Sequence, residues 1–407
     1  MDKLQELLKK EEKLVIGLMS GTSADGVDAV LLRISGHGLD TQVEQIAFVS
    51  PPYSDEVRNR ILKVAEGTFG GAREICLLNF LLGELFADAC FQLCEKAGIK
   101  TEDVDLIGTH GQTIYHIPVP EAYLGHELTA TLQIGEPSIL CERIGAVTVS
   151  DFRVRDVAAQ GLGAPLVPYT EYLLYSDPLR NVALQNIGGI GNITVLPAAG
   201  RARHEKNASR LAGALEALTA FDTGPGNMVM DEIISRMTGG RLHYDKDGEA
   251  AARGHVSAPL LEWMMQDDYL HQKPPKTTGR ERYGRRYVDE LMKKGACLCV
   301  SEEDILTTAT MFTAASIAYS IREYCEPKPD WLIVGGGGSY NLTLMRMLRE
   351  RLPEMVVLTN EALGMDGAAK EAIAFAVLAN EAIHSQCNNA TAATGAIHPV
   401  VMGKISQ

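Results

Sequence analysis

The chain has 407 residues, 46% of them hydrophobic and 22% charged, with a formal net charge of −14. That balance describes a globular chain with room for two domains of ordinary size, neither disordered nor membrane-embedded. The acidic total and the lack of any Lys/Arg cluster argue against a nucleic-acid partner.

The N-terminal MDKLQELLKKEEK reads as a charged helical lead-in without the apolar core of a signal peptide. Residues 15–19 and 29–34 are buried-strand material on either side of a turn, and a third strand is expected near 42–48. Residues 74–97 place Ile75, Leu78, Leu82, Leu85, Phe86, Ala89 and Leu93 at the spacing of an amphipathic helix. Short strands are expected at 104–108, 131–134 and 146–149. Residues 181–186 and 192–196 then form strands around a glycine turn at 187–191. The stretch 198–219, rich in Ala, Arg and Gly, reads as an excursion. Residues 221–227 read as a loop leading into a helix at 228–237. A long helix at 301–324 precedes an apolar strand at 331–334 and a four-glycine turn at 335–338, and further helices cover 340–350 and 368–382. The most apolar helical stretch, 307–321, is broken by Thr and Ser and is too short to span a bilayer, so no membrane partner is expected. The eight cysteines show no metal spacing and read as reduced structural thiols of a cytoplasmic protein.

The first turn, Ser20-Gly21-Thr22-Ser23-Ala24-Asp25-Gly26, combines small side chains, open backbone amides and hydroxyls. Such a turn can curl around a phosphate. Asp25 and Asp28 would repel a bare phosphate, which points to a nucleotide carried with Mg²⁺. An ordinary glycine-turn β-hairpin accounts for the same residues. The strand–turn–strand pattern recurs about 165 residues later in LQNIGGIGNITVL. Two related α/β halves would explain the echo, and the glycine turn after 331–334 is a natural docking point for a nucleotide.

The blocks MSGTSADGVD, THGQTIYH, LQIGEPSIL, SDFRVRDVAAQGLGAPLVP, QNIGGIGNITVL, FDTGPGNMVMD, PKTTGRERYG, VGGGGSYN and TGAIHPV span nearly the whole chain in order. Together they resemble the anhydro-N-acetylmuramic acid kinase family, a branch of the actin, hexokinase and heat-shock-chaperone-like ATPases. A levoglucosan kinase shares the same scaffold. The resemblance implies two related α/β domains of the actin-like, ribonuclease H-like fold flanking a central cleft. The expected division is 1–180 and 181–407, with a C-terminal helix around 366–385 packing back onto the first domain. It also implies ATP-dependent, hydrolytic opening of 1,6-anhydro-N-acetylmuramic acid with phosphorylation of O6, in peptidoglycan turnover. A homodimer is compatible with the sequence. Other amino-sugar kinases and a non-sugar ATPase on the same scaffold remain as alternatives.

On this resemblance, ATP falls to Gly21, Thr22, Ser23, Ala24, Asp25, Gly26, Val27 and Asp28, with Asp25 and Asp28 facing Mg²⁺. Asn186, Gly188 and Gly189 would close over the phosphates, and Gly335, Gly336 and Gly337 would approach the adenosine. Opening the acetal calls for a base on water, and the family's aspartate falls at Asp222. A turn-capping role for Asp222 is the local alternative. Glu371 is placed to assist the same water, or else is merely solvated. Asp156 is the runner-up for the base, although Arg153 and Arg155 beside it favour an ion-paired aspartate with a structural or substrate-binding role. Arg143 and Arg153 are candidates for the lactyl carboxylate, and His110 for a sugar hydroxyl or the N-acetyl group. The chain departs from the family at Gln160, where a glycine is usual, and at Ala24, where a larger apolar residue is common. Ala368-Ala369-Lys370 replaces an acidic run, and the 198–219 excursion is longer than usual.

Overall fold

The computed structural model describes residues 3–67, 70–198, 215, 218–364 and 366–407. The chain divides into two units: one holds the residues up to Tyr175 and those from Gly364 onward, the other most of the segment between. The expected division at 180 is therefore incomplete, because the C-terminal residues cluster with the first unit and not the second. Most of the 198–219 excursion lies outside the described residues.

In the first unit, β1 (Glu12–Ser20), β2 (Asp28–Ser35) and β3 (Gln42–Val49) form an antiparallel meander. β4 (Leu106–Tyr123) runs parallel to β1, and β6 (Val147–Ser150) runs parallel to β4. β5 (His126–Ile134) extends β4 as a hairpin, and a last strand, Lys404–Ser406, lines β6. Helix Ala72–Ala97 covers one face of the sheet and helix Lys370–Ile383 the other. With both faces covered, the central strands are apolar on both sides, which is why they read as unbroken Val/Ile/Leu runs. β4 extends far beyond the expected 104–108. Only its first half is buried, so its outer half carries no apolar signal.

In the second unit, β7 (Val182–Ile187), β8 (Ile190–Leu196) and β9 (Thr219–Pro225) form another antiparallel meander. β10 (Trp331–Gly335) runs parallel to β7, and β11 (Val356–Thr359) runs parallel to β10. The order β9-β8-β7-β10-β11 reproduces β3-β2-β1-β4-β6 with the same strand directions. The two halves are therefore related α/β units of ribonuclease H-like topology, and the sequence echo marks the first hairpin of each. Residues 221–225, read as a loop from their Gly and Pro, are in β9; as an edge strand, β9 tolerates a terminal proline. Helix Glu302–Tyr324 begins at Ser301, whose hydroxyl accepts the Asp304 amide, and three acidic residues fill its first turn. It is buried for most of its length in the core of this unit. Among the described residues no helix is long and apolar enough to cross a membrane.

Helix Lys370–Ile383 lies unusually close to its sheet. Gly17 and Gly108 face each other across β1 and β4. A Cβ on Gly17 would sit 1.9 Å from the Ala372 carbonyl oxygen, and one on Gly108 2.0 Å from that of Phe375. Gly108→Ala should cost roughly 1–3 kcal/mol through overpacking, read as a lower urea midpoint for the variant than for the parent chain.

Candidate active site

The Ser20–Asp28 turn is braced from three sides. Its tight bend closes with the Ala24 amide on the Gly21 carbonyl, with Ala24 buried at φ 51°. Gly26 lies against Pro51, where a Cβ would come within 2.3 Å of the carbonyl oxygen. The Ser20 hydroxyl lies 2.7 Å from Gln112 Oε1 and 3.0 Å from Tyr53 Oη, while Gln112 Nε2 donates to the Gly21 carbonyl at 3.0 Å. Thr22 and Ser23 remain exposed at the tip. Asp25 is exposed and stands 3.2 Å from Arg58 Nε, whereas Asp28 accepts the Ser50 hydroxyl at 2.6 Å. Burial, and then the nearby Asp366 carboxylate, push the Asp28 pKa up against that hydrogen bond.

The same unit brings residues from distant blocks to this turn. Glu371 occupies the first turn of helix Lys370–Ile383, a favourable place for a carboxylate. Desolvation and then the Asp28 charge raise its pKa, opposed by Lys370 and Arg153. Arg153 donates through Nε to His110 Nε2 at 2.9 Å and through Nη1 to the Gly163 carbonyl at 2.7 Å. His110 therefore accepts at Nε2, and its Nδ1 hydrogen bonds the Gly111 carbonyl at 2.8 Å. Burial and the adjoining Arg153 hold its pKa down to about 3, so the ring is neutral at any working pH. Both ring nitrogens are engaged, Nε2 by Arg153 and Nδ1 by the Gly111 carbonyl, so His110 orients Arg153. Thr109, His110, Gly111, Gln133 and Glu136 help to line a cavity of about 570 Å³ in this unit. Gln133 Oε1 is buried without a hydrogen-bond partner among the described residues.

In the second unit, the turn between β7 and β8 rests on the start of helix Met228–Met237. The Gly188 carbonyl accepts from the Asn227 amide at 2.7 Å, and the Gly189 carbonyl accepts from Gly226 and Met228. The glycine turn after β10 packs on it in turn. Gly336, at φ 80°, leaves only 2.5 Å between a would-be Cβ and Asn186 Oδ1. Gly337, Asn227, Met230, Asp231, Tyr244 and Tyr340 are among the residues lining a cavity of about 470 Å³. Asp222 lies on β9, half-buried. Its Oδ2 accepts from Thr277 Oγ1 at 2.8 Å and from the Thr278 amide at 2.9 Å. Oδ1 accepts no hydrogen bond among the described residues. Asp222 thus bonds to a distant loop and does not cap its own turn. Thr277 and Thr278 were unassigned in the sequence, although they stand in the PKTTGRERYG block.

Residues 13–407 match the model of the family described as anhydro-N-acetylmuramic acid kinase. The chain belongs to that family. It is 52% identical over 408 residues to the anhydro-N-acetylmuramic acid kinase of Caldanaerobacter subterraneus subsp. tengcongensis, covering 100% of both chains. It is 44% identical over 396 residues to that of Bacillus cereus, covering 96% of this chain and 98% of the relative. Among solved structures, component A of (R)-2-hydroxyglutaryl-CoA dehydratase from Acidaminococcus fermentans overlays with a TM-score of 0.42. Its identity is 10%, with 92% of this chain and 100% of that chain covered.

Two further expected substrate residues of this anhydro-N-acetylmuramic acid kinase family member are held by protein partners. Arg143 lies on the surface, with Nε and Nη2 both on the Glu84 carboxylate at 3.0 and 2.6 Å. Asp156 is fully buried, and it pairs with neither Arg153 nor Arg155. Its Oδ1 accepts from Asn389 and Thr394, both at 2.8 Å, and its Oδ2 from the Gly163 amide at 2.9 Å. It ties the 153–163 segment to the C-terminal residues. Gln160 adopts φ 64°, a left-handed conformation that disfavours a side chain. Asp156→Ala should lose on the order of 3 kcal/mol, because it strands three buried donors, read as a lower urea midpoint. Arg143→Ala should keep kcat and KM within about twofold, since an exposed ion pair contributes little.

Proposed function

We propose that the protein is an ATP-dependent kinase of 1,6-anhydro-N-acetylmuramic acid that opens the anhydro bridge with water. Water attacks C1 and the C1–O6 bond breaks toward O6. O6 takes the γ-phosphoryl group, the bond from phosphorus to the β-phosphate oxygen breaks, and ADP leaves. The product is N-acetylmuramic acid 6-phosphate, so the reaction salvages cell-wall sugar in the cytoplasm. One observation carries the reading: Asp222 is anchored through one carboxylate oxygen while the other is left open. A fixed carboxylate with a free oxygen is the form a general base on water requires. Its proton acceptance at Oδ1 leaves the Thr277 and Thr278 bonds to Oδ2 in place.

Other residues take supporting roles on the same reading. Phosphoryl transfer depends mainly on positioning and charge stabilisation. The exposed Thr22 and Ser23 tip and the glycine-lined Asn186–Gly189 turn suit the phosphates. The cavity beside Gly337 has the size and mixed lining for the adenosine. Arg153, with Nη2 uncommitted among the described residues, is the cation for the lactyl carboxylate, and the His110 cavity suits the sugar's substituents. Glu371, its pKa raised by burial and by the Asp28 charge, is a second carboxylate fitted to handle a proton. Among the described residues no three His, Cys, Asp or Glu side chains group to hold a metal ion by themselves. That fits Mg²⁺ delivered with the nucleotide, since this ion binds one or two carboxylates plus phosphate oxygens. Asp28, crowded by Asp366, is the carboxylate a cation would relieve, whereas Asp25 is engaged with Arg58. When bound, the ion neutralises charge on the phosphates.

Incubation with Mg-ATP and the anhydrosugar in H₂¹⁸O should place label on the C1 hydroxyl of a 6-phosphorylated product. ADP release indifferent to the sugar would overturn the reading. Asp222→Asn should melt like the parent chain yet lose about 10³-fold or more in kcat; turnover near the parent rate would remove Asp222 as the base.

A further inference from the structure

Lys276 is a buried lysine for which the reaction above has no use. Its residue exposure is 8%, and no carboxylate pairs with it among the described residues. Its Nζ donates to the main-chain carbonyls of Leu270 at 3.0 Å and Tyr269 at 3.3 Å. Around the ammonium stand the rings of Tyr324, Tyr269 and Phe221, with centroids at 4.5, 4.9 and 5.8 Å. Cation–π attraction and two carbonyls compensate part of the desolvation, but a methionine or leucine would fill an aromatic cage at lower cost. Stability alone does not explain a lysine here.

Its surroundings do. The main-chain carbonyl of Lys276 accepts the Asp222 amide at 3.2 Å. The hydroxyl of Tyr269, whose carbonyl Lys276 holds, donates to the Asp222 carbonyl at 2.9 Å. The next two residues, Thr277 and Thr278, hold Asp222 Oδ2. Two jaws therefore grip Asp222, the 269–270 turn on its backbone and the 277–278 loop on its carboxylate. The side chain of Lys276 joins the two jaws.

We propose that Lys276 is a positioning residue for Asp222, its ammonium clamping the 269–270 turn to the 276–278 loop and so fixing where the free Oδ1 points. The inference rests on Asp222 being the base. The titratable and charged groups facing the ammonium are the Tyr269 and Tyr324 phenols, with Asp222, Asp267 and Arg282 beyond Tyr269 and with Tyr319 and His271 beyond Tyr324. Burial lowers the Lys276 pKa to about 8. Burial pushes Tyr324 up to about 12 and Tyr269 higher still, so neither phenol titrates in the same range. Deprotonation of Lys276 would weaken the clamp as pH rises through about 8, because the neutral amine keeps two N–H donors but loses the charge that strengthens the carbonyl bonds and the attraction to the rings.

The test is steady-state kinetics of the full chain with Mg-ATP and the anhydrosugar across pH. Lys276→Met should lower kcat about 10²-fold, the cost of a misplaced reacting group, with both KM values within about threefold. Tyr269→Phe, which removes only one hydroxyl, should lower kcat about tenfold. The double variant should fall no further than Lys276→Met alone, because both act on one link. The parent should lose kcat above about pH 8, and Lys276→Arg, whose charge persists, should move that limb upward by about a unit or more. A Lys276→Met kcat within about threefold of the parent, a loss confined to KM, or an unmoved alkaline limb in Lys276→Arg would each overturn the proposal. If Lys276→Met does not fold, Tyr269→Phe and the Lys276→Arg pH profile decide alone. Asp222→Asn, run alongside, separates the two ideas. Residual turnover there removes the base itself, whereas an inactive Asp222→Asn with unaffected Lys276 and Tyr269 variants removes only the clamp.

Discussion

The first unit depends on how closely helix Lys370–Ile383 approaches β1 and β4. Gly17 and Gly108 leave no side chain on the facing patch of the sheet, and the helix backbone fills that space. The approach fixes the start of the helix, where Lys370 pairs with the buried Glu171 at 2.5 Å and Glu371 enters the surroundings of Asp28 and Arg153. Farther along, Glu381 reaches the interior and accepts both the Gly38 amide, at 2.9 Å, and the Tyr169 hydroxyl, at 2.9 Å. Burial raises its pKa and these bonds oppose the rise. A residue with a Cβ at either glycine would move all of these groups together.

Buried charge in this protein is held by neutral donors and acceptors more than by opposite charge. Asp156 is satisfied by an asparagine, a threonine and a backbone amide, Glu381 by an amide and two hydroxyls, and Lys276 by carbonyls and rings. Each contact is directional, so each fixes a position as well as satisfying a charge. Arg143 with Glu84, by contrast, is an exposed pair that screening and side-chain entropy leave with little net effect. The distinction separates side chains fixed in position by buried contacts from those held only loosely at the surface.

That distinction is also where sequence reading stops. The central strands and the helices at 228–237 and 301–324 are legible because burial on both faces, or helical periodicity, marks them directly. The outer half of β4 is exposed and β9 is rich in Gly and Pro, so neither carries an apolar signal. Asp222 stands out in the sequence through its block, whereas Glu371 lies in none of the blocks and is marked only by its place on the last helix. The fate of Asp156 is set by Asn389 and Thr394, more than 230 residues away, and no local pattern announces such partners. The hydrogen bond from Arg153 to His110 likewise joins two separate blocks.

The two hairpin turns share a topological position and differ in chemistry. In the first, side chains of Ser20, Gln112 and Tyr53 brace the bend and leave Thr22 and Ser23 facing solvent with hydroxyls to offer. In the second, main chain does most of the bracing: carbonyls of Gly188 and Gly189 accept the amides at 226–228, Asn227 Nδ2 donates to the Ile187 carbonyl at 3.2 Å, and Gly336 presses against Asn186. A turn built this way has no side chains to spare and permits close approach by whatever lies over it. The first turn brings carboxylates and hydroxyls, so it suits charge handling. The second brings bare backbone, so it suits contact. A duplicated framework thus carries two differently built turns, and the asymmetry lies in the turns while the strand order stays the same.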